Sequence, residues 1–115
     1  MAGTGPKNMD KLHLRSCRPC IKTTTILTND VINYLLQQLN NDWKIKNNYL
    51  YRLVNVKNFK QAIELTNKIA TIAEKENHHP DINISWSNVE IKITTHVVSA
   101  LTENDFILAA KIDHI

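Results

Sequence analysis

The feature that most restricts the fold is one long helical repeat that a proline brings to an end. From Asn58 to about Asn77 apolar and small residues recur at intervals of three and four, the period of one helix face: Phe59, Ala62, Ile63, Thr66, Ile69, Ala70 and Ala73. Pro80 disfavours helical backbone at the residue before it. The sequence therefore predicts one long amphipathic helix that ends beside His78 and His79, and the rest of the chain has to cover its apolar face.

Two segments on either side of this helix have the alternating pattern of β-hairpins. In the first, Trp43 to Val56, two β-rich runs flank Asn47 and Asn48, and asparagine tolerates the left-handed backbone of a tight turn. In the second, apolar residues alternate with polar ones around a Ser87-Asn88 turn: Ile82, Ile84, Trp86, Val89, Ile91 and Ile93. Each hairpin is expected to have one apolar face.

Two further helices complete the pattern. Apolar residues at helical spacing after Thr28, a suitable N-cap, predict a first helix over Asn29–Asn40. Thr102 and Asp105 have the spacing of a capping box, which predicts the start of a last helix. The order helix, hairpin, helix, hairpin, helix predicts an α+β two-layer sandwich, a four-stranded antiparallel sheet with three helices on one face. The open strand edges of such a sheet favour self-association.

Length and composition indicate one domain. The 115 residues are 43% hydrophobic, which is enough for a core of ordinary size. Residues 1–25 hold both glycines, two of the three prolines and most of the excess positive charge. We therefore expect a flexible N-terminal tail over residues 1–25 and a folded domain over residues 26–115.

Charge and glycine usage argue against several classes of function. The formal net charge of +3 comes mainly from the first 22 residues, so we expect no direct binding of nucleic acid. No glycine follows Gly5, which argues against phosphate-cradling loops and dinucleotide fingerprints. The longest apolar run, residues 106–110, is too short to span a bilayer, and the N-terminus lacks a signal-peptide pattern. We expect a cytoplasmic protein without membrane association, and a nuclear location is also open.

The cysteines form a single C-x-P-C pair, Cys17 and Cys20. A zinc ribbon usually needs two such pairs, and only His13 lies nearby as a further ligand. The pattern therefore favours two ordinary thiols in a reducing compartment over a metal site.

The adjacent histidines before Pro80 are the strongest indication of function. His78 and His79 project in different directions, which suits acid-base chemistry at two sides of a substrate, because imidazole exchanges protons near neutral pH. A metal site that also uses His96 and Glu74 is one alternative, although adjacent residues do not easily converge on one ion. The other is a pair of surface residues, with Glu74 and His78 in contact at i, i+4 spacing.

One stretch resembles the signature of the pterin-4a-carbinolamine dehydratases. AEKENHHPDINISWSNVEIKITTHVVSALTENDF contains E-K-x-x-H-H-P, a hairpin, T-H, and L-[ST]-x-x-D at the start of the last helix. His96 lies seventeen positions after His79 and Asp105 lies nine positions after His96, spacings that are similar to those of the family. The resemblance extends over about Cys17 to Ile112 and includes the C-x-P-C of some members.

Two positions depart from the family pattern. Ala100 stands where members commonly have glycine, and Ile82 replaces an aromatic residue that is common two positions after the proline. A tryptophan that opens the first hairpin is matched by Trp43.

The resemblance implies dehydration of a 4a-hydroxytetrahydropterin to the quinonoid dihydropterin, in the recycling of tetrahydrobiopterin, with no metal or redox cofactor. It implies acid-base roles for His78 and His96 and a binding and orienting role for His79. Glu74, one helical turn before His78, is expected to orient it.

The remaining site residues implied by the resemblance are supporting ones. Asp105 would support the His96 end of the pocket, or would serve only in the capping box with Thr102. Pro80 and Trp43 are expected to support the pocket, and Trp43 and Trp86 to lie in the core or in the pocket wall.

The resemblance also implies partners besides the pterin substrate. We expect a homodimer or a homotetramer. Some animal members also act as dimerisation cofactors of a homeodomain transcription factor, so a protein-binding function is the alternative hypothesis. No residue of this sequence identifies a transcription-factor partner.

Overall fold

The structure is a computed structural model that describes residues 11–115. Helices and strands follow in the predicted order: α1 (Asn29–Leu36), β1 (Lys44–Lys46), β2 (Tyr49–Asn55), α2 (Phe59–Glu76), β3 (Asp81–Ile84), β4 (Asn88–Ile93) and α3 (Glu103–Asp113). Short 3-10 helices occur at Leu12–Leu14 and His96–Val98. The α+β class is confirmed. Within residues 11–115, no helix is both long and apolar enough to cross a membrane.

The four strands form one antiparallel sheet in the order β1-β2-β4-β3. Both predicted hairpins form, and Asn47 has the left-handed backbone that the first turn requires, with φ of 53°. The two hairpins join through β2 and β4, which place Leu50 opposite Ile93 and Val54 opposite Val89. This pairing leaves β1 and β3 at the edges of the sheet.

Helix α2 begins and ends where its sequence predicts. The Asn58 side chain caps the first turn by accepting a hydrogen bond from the Gln61 N–H at 2.9 Å. At the other end Asn77 has a left-handed backbone, with φ of 52°. The chain reverses there, and the His78 N–H bonds back to the Ala73 carbonyl at 3.2 Å. The reversal is what directs the chain into β3.

Helix α1 is shorter than predicted, because it ends at Leu36 instead of Asn40. The Asn40 N–H donates to the Asp113 carboxylate at 2.8 Å, a contact with α3 that an α-helical N–H would not make. The intervening turns still carry Leu39 into the core. The helical spacing of the apolar residues correctly predicted which side of this segment is buried, but it placed the end of the helix four residues too late.

The core lies between the sheet and the helices. One sheet face is apolar and buried, with Leu50, Ile91 and Ile93 fully enclosed. The opposite face is polar, and there the Tyr51 hydroxyl donates to Glu90 at 2.6 Å. The helices therefore cover one face of the sheet, as predicted.

Part of the segment that was expected to be a tail lies against the helices. Leu12 is 3% exposed and belongs to the hydrophobic core. Lys111 of α3 donates to the His13 carbonyl at 2.9 Å, and the Cys17 N–H donates to Glu76 of α2 at 2.8 Å. The domain boundary at residue 26 stays a prediction, and residues 1–10 lie outside the described part of the chain.

We predict that Leu12→Ala lowers the free energy of unfolding by about 2 to 5 kcal/mol, the usual effect of emptying a buried leucine site. Leu14→Ala is the matched control, because Leu14 is 63% exposed and its truncation is expected to cost less than about 0.5 kcal/mol. Urea denaturation of both variants measures the difference. Equal midpoints would show that residues near 12 are not part of the folded unit.

Candidate active site

His78 and Asp105 form a buried pair between the end of α2 and the start of α3. His78 is 9% exposed and Asp105 is 0% exposed. The His78 Nε2 lies 2.6 Å from Asp105 Oδ1. Nδ1 is the ring nitrogen outside this contact, and an ionised carboxylate would accept a hydrogen bond from Nε2. The pair therefore fixes the position of the imidazole.

The second oxygen of Asp105 binds two further elements. Oδ2 accepts the backbone N–H of Thr102 at 2.9 Å, which is the Asp105 half of the predicted capping box. It also accepts the hydroxyl of Thr95, in the segment that follows β4, at 2.8 Å. The capping role is thus confirmed, and Asp105 also contacts Thr95, the residue directly before His96. Asp105 holds His78.

Glu74 contacts His79 and not His78. Its carboxylate is hydrogen-bonded to the His79 Nε2, and both side chains are more than half exposed. The predicted pairing of Glu74 with His78 was wrong, because the left-handed Asn77 ends the helical geometry on which the i, i+4 spacing depended. The imidazole of His79, the residue before Pro80, is the one that lies beside Glu74.

His96 begins the short 3-10 helix His96–Val98, two residues beyond Thr94. Strand parity would point His96 away from the apolar face of the sheet, but β4 already ends at Ile93. A bridge between Thr95 and Ala100 closes the loop, and the left-handed residue in it is Ser99, with φ of 50°. Ala100 therefore replaces glycine at a position that does not need positive φ.

The three histidines line one pocket of about 350 Å³. This volume is at the lower end of small-molecule sites, which span about 300 to 1,000 Å³, and suits one small ring system. Further parts of the wall come from the end of α2, the segment after β4 and the N-terminal segment: Asn77, Thr94, Thr95, Arg18, Pro19 and Cys20. The structure thus brings His78, His79 and His96 together, with Asp105 and Glu74 behind two of them.

Two tryptophans and Pro80 lie outside this pocket. Trp43 is 2% exposed and donates through Nε1 to Asp113 at 2.8 Å, so it is a core residue. Trp86 is 72% exposed in the turn between β3 and β4, which corrects the expectation of a core or wall position. Pro80 precedes β3 and does not line the pocket. It restricts the backbone of His79, the residue before it, to extended conformations, beyond the end of α2 at Glu76.

Sequence reasoning missed the contribution of residues 18–20. The C-x-P-C pattern draws attention to Cys17 and Cys20 as thiols or metal ligands, and both instead contact Asn104 of α3. Among residues 11–115, no three or more histidine, cysteine, aspartate or glutamate side chains are grouped to hold a metal ion. Only the packing of the N-terminal segment on α3 shows which pocket it adjoins.

The structure is thus an α+β sandwich with a histidine-lined pocket at the ends of its helices and strands. The family model for pterin 4 alpha carbinolamine dehydratase matches residues 25–115. The chain belongs to this family.

Similar proteins span nearly the whole chain. A protein of Alkaliphilus metalliredigens named for the same family is 43% identical over 106 residues, covering 91% of this chain and 96% of the relative. One of Rickettsia canadensis is 44% identical over 106 residues, covering 91% of this chain and 97% of the relative. These relatives agree with the family assignment along their full length.

Two solved structures share the fold. A transcriptional coactivator/pterin dehydratase from Brucella melitensis has a TM-score of 0.73 and 27% identity, covering 78% of this chain and 97% of that chain. A pterin dehydratase-like RuBisCO assembly factor of the alpha-carboxysome has a TM-score of 0.52 and 20% identity, covering 63% of this chain and 83% of that chain. At that identity the second comparison shows the fold alone.

We predict that Asp105→Ala lowers the free energy of unfolding by about 3 to 5 kcal/mol, because it leaves the donors of His78, Thr95 and Thr102 without their acceptor. Glu103→Ala is the matched control, two residues earlier in the same helical turn. It removes a half-exposed carboxylate and is expected to lower the free energy of unfolding by less than about 1 kcal/mol. Denaturant unfolding of both variants provides the measurement. Similar losses for the two would contradict the structural role of Asp105.

Proposed function

We propose that the protein dehydrates a 4a-hydroxytetrahydropterin to the quinonoid dihydropterin by histidine acid-base catalysis. The observation that carries the proposal is the convergence of His78, His79 and His96 on one pocket, in a chain of the dehydratase family. The reaction moves protons and expels water, so it requires no metal or redox cofactor. Its biological setting would be the recycling of tetrahydrobiopterin in the cytoplasm.

His78 is suited to be the base. Its Nε2 is engaged by Asp105, while Nδ1 has no hydrogen-bond partner among residues 11–115. When Nδ1 accepts a proton, the neighbouring carboxylate stabilises the imidazolium that forms. His78 would thus collect the proton that a ring nitrogen of the substrate releases.

His96 is suited to be the acid. It is exposed at the start of a 3-10 turn, and no side-chain hydrogen bond engages its ring among the described residues. It would protonate the 4a-hydroxyl, and the C4a–O bond would break as the lone pair of the adjacent ring nitrogen forms a double bond to C4a. One proton is given to the hydroxyl and one is taken from the ring, so the net loss is water.

His79 is suited to bind and orient the substrate. Its ring is held by Glu74 at the rim of the pocket, and about half of the side chain is exposed. An exposed contact of this kind is screened by solvent and holds its partners weakly. We assign to it a contact with the pterin and not a step of the chemistry.

We predict that His78→Ala and His96→Ala each lower kcat by about 10²- to 10⁴-fold, the usual effect of removing a general acid or base. His79→Ala is expected to raise KM with a smaller change in kcat, because it removes binding common to the ground and transition states. Steady-state rates of 4a-hydroxytetrahydropterin dehydration, corrected for the uncatalysed reaction, measure both constants, and circular dichroism checks the fold of each variant.

Two outcomes of this experiment, and one of a separate chelator treatment, would change these assignments. A full-rate His96→Ala enzyme removes its assignment as the acid. Small and equal effects of all three substitutions would contradict the catalytic interpretation of the histidines. Loss of activity on treatment with a chelator revives the metal site of Glu74 and the histidines.

A second candidate function is binding of a transcription factor as a dimerisation cofactor. The name of the Brucella neighbour, which includes a transcriptional coactivator, is the observation that favours it. Dehydration above the uncatalysed rate supports the enzyme proposal, whereas a protein-binding function alone predicts no acceleration.

We predict that the protein forms a homodimer or a homotetramer. The sheet has two edge strands, β1 and β3, and unpaired edge groups tend to be covered by pairing. Sedimentation equilibrium at micromolar concentration is expected to show a mass of two or four chains. A purely monomeric protein would contradict this prediction.

A further inference from the structure

The irregular segment Arg18–Cys20 contributes to the wall of the histidine pocket without belonging to a helix or strand. Such a segment has no ladder of backbone hydrogen bonds to fix it, so its position depends on contacts with the rest of the chain. The question is which residues hold it and what it presents to a ligand.

Asn104, in the first turn of α3, holds this segment through its side-chain amide. It is 6% exposed, and its amide is engaged with the backbone of a single residue. Oδ1 accepts the Arg18 N–H at 3.0 Å, and Nδ2 donates to the Arg18 carbonyl at 2.6 Å. Nδ2 also lies 3.0 Å from the Cys20 sulfur. Two opposed hydrogen bonds to the same residue fix both its position and its orientation.

Cys17, the residue before Arg18, is itself held by two hydrogen bonds. Its N–H donates to Glu76 at 2.8 Å, and its thiol donates to the Asn104 carbonyl at 3.6 Å. Burial, with a smaller effect of Glu76, raises the pKa of the Cys17 thiol to about 12. The thiol therefore stays neutral and keeps its donor at physiological pH. Both cysteines of the C-x-P-C pair thus have a structural use on either side of Arg18.

Arg18 itself is exposed and lines the histidine pocket as well as two neighbouring cavities. No acidic side chain pairs with it among residues 11–115, whereas the neighbouring Arg15 pairs with Glu103. A guanidinium group offers several donors in a planar fork that matches carbonyl, carboxylate and phosphate oxygens. An arginine without an acidic partner, held in the wall of a pocket by a buried amide, is suited to bind such an oxygen of a ligand.

We propose that Arg18 is a substrate-binding residue of the histidine pocket and that Asn104 is its positioning residue. The inference rests on the proposed dehydratase function. The bound group is an acceptor oxygen of the pterin, either the 4-oxo carbonyl that every pterin carries or an anionic group on the C6 side chain. Arginine does not exchange protons at neutral pH, so the contact contributes to binding and not to proton transfer.

The test compares Arg18→Ala with its controls in both kinetics and direct binding of a stable dihydropterin, followed by fluorescence. Arg18→Ala is expected to raise KM and Kd by about tenfold or more, as the loss of a charged hydrogen bond does, and to leave kcat within about twofold. Arg18→Lys keeps the charge and should recover part of the affinity. Lys22→Ala removes an exposed cation of the same segment that does not line the pocket, and should change neither constant.

Asn104→Asp tests the positioning role with little change in side-chain size. The carboxylate keeps the acceptor for the Arg18 N–H but loses the donor to the Arg18 carbonyl. We expect KM to rise as in Arg18→Ala while kcat is retained, with thermal unfolding to confirm that the variant is folded. A residue that only stabilises the fold would lower the melting temperature without this selective effect on KM.

Two substrates distinguish the source of the oxygen. If Arg18→Ala raises the KM for a pterin with a neutral C6 side chain, the contact is with the ring carbonyl. If Arg18→Ala raises the KM only for a pterin with a phosphorylated side chain, and added salt reduces this effect, the contact is with the anionic group.

Unchanged KM and Kd for both substrates in Arg18→Ala, or a change in kcat alone, would overturn the role of Arg18 and leave the dehydratase proposal standing. A wild-type protein that neither binds dihydropterin nor accelerates dehydration would overturn the proposed function, and the role of Arg18 with it.

Discussion

A carboxylate without access to water needs a hydrogen-bond donor on each of its oxygens, and Asp105 receives them from three separate elements. Oδ1 faces His78 after α2, and Oδ2 faces Thr102 at the start of α3 and Thr95 after β4. None of these elements can move away without leaving a buried charge poorly satisfied. The contacts that close the core at this end of the molecule are the same ones that orient a histidine in the pocket.

The pocket is accordingly built from chain segments at the ends of regular elements. Asn77 stops α2 with a left-handed residue and turns His78 toward Asp105, and the end of β4 at Ile93 lets His96 leave the strand. Their own backbone hydrogen bonds, such as the one from the His78 N–H to the Ala73 carbonyl and the bridge between Thr95 and Ala100, hold these segments against the elements on either side. The imidazoles of this small protein are therefore positioned without a loop that contains glycine.

The partners of the site residues were harder to predict than the residues themselves. Spacing along a helix favoured Glu74 with His78, yet the helix ends at Glu76, and the pairs that form are Glu74 with His79 and Asp105 with His78. Asp105 was recognisable as a capping residue because that contact lies within four residues of sequence. Its second contact, 27 residues away, depends on how α2 and α3 pack.

The sequence by itself determined the type and order of the elements, because helical and strand periods, asparagine turns and the stop at Pro80 all act over a few residues. The adjacent pair His78 and His79 was recognisable from the sequence, and the resemblance to a family added an acid-base role for His96. Only the tertiary structure decided that β2 pairs with β4, that Trp86 is exposed, and that Arg18, held by Asn104, lines the same pocket as the histidines. Those outcomes depend on which buried polar groups and apolar faces satisfy one another across long separations in the chain, and no local pattern of residues encodes that choice.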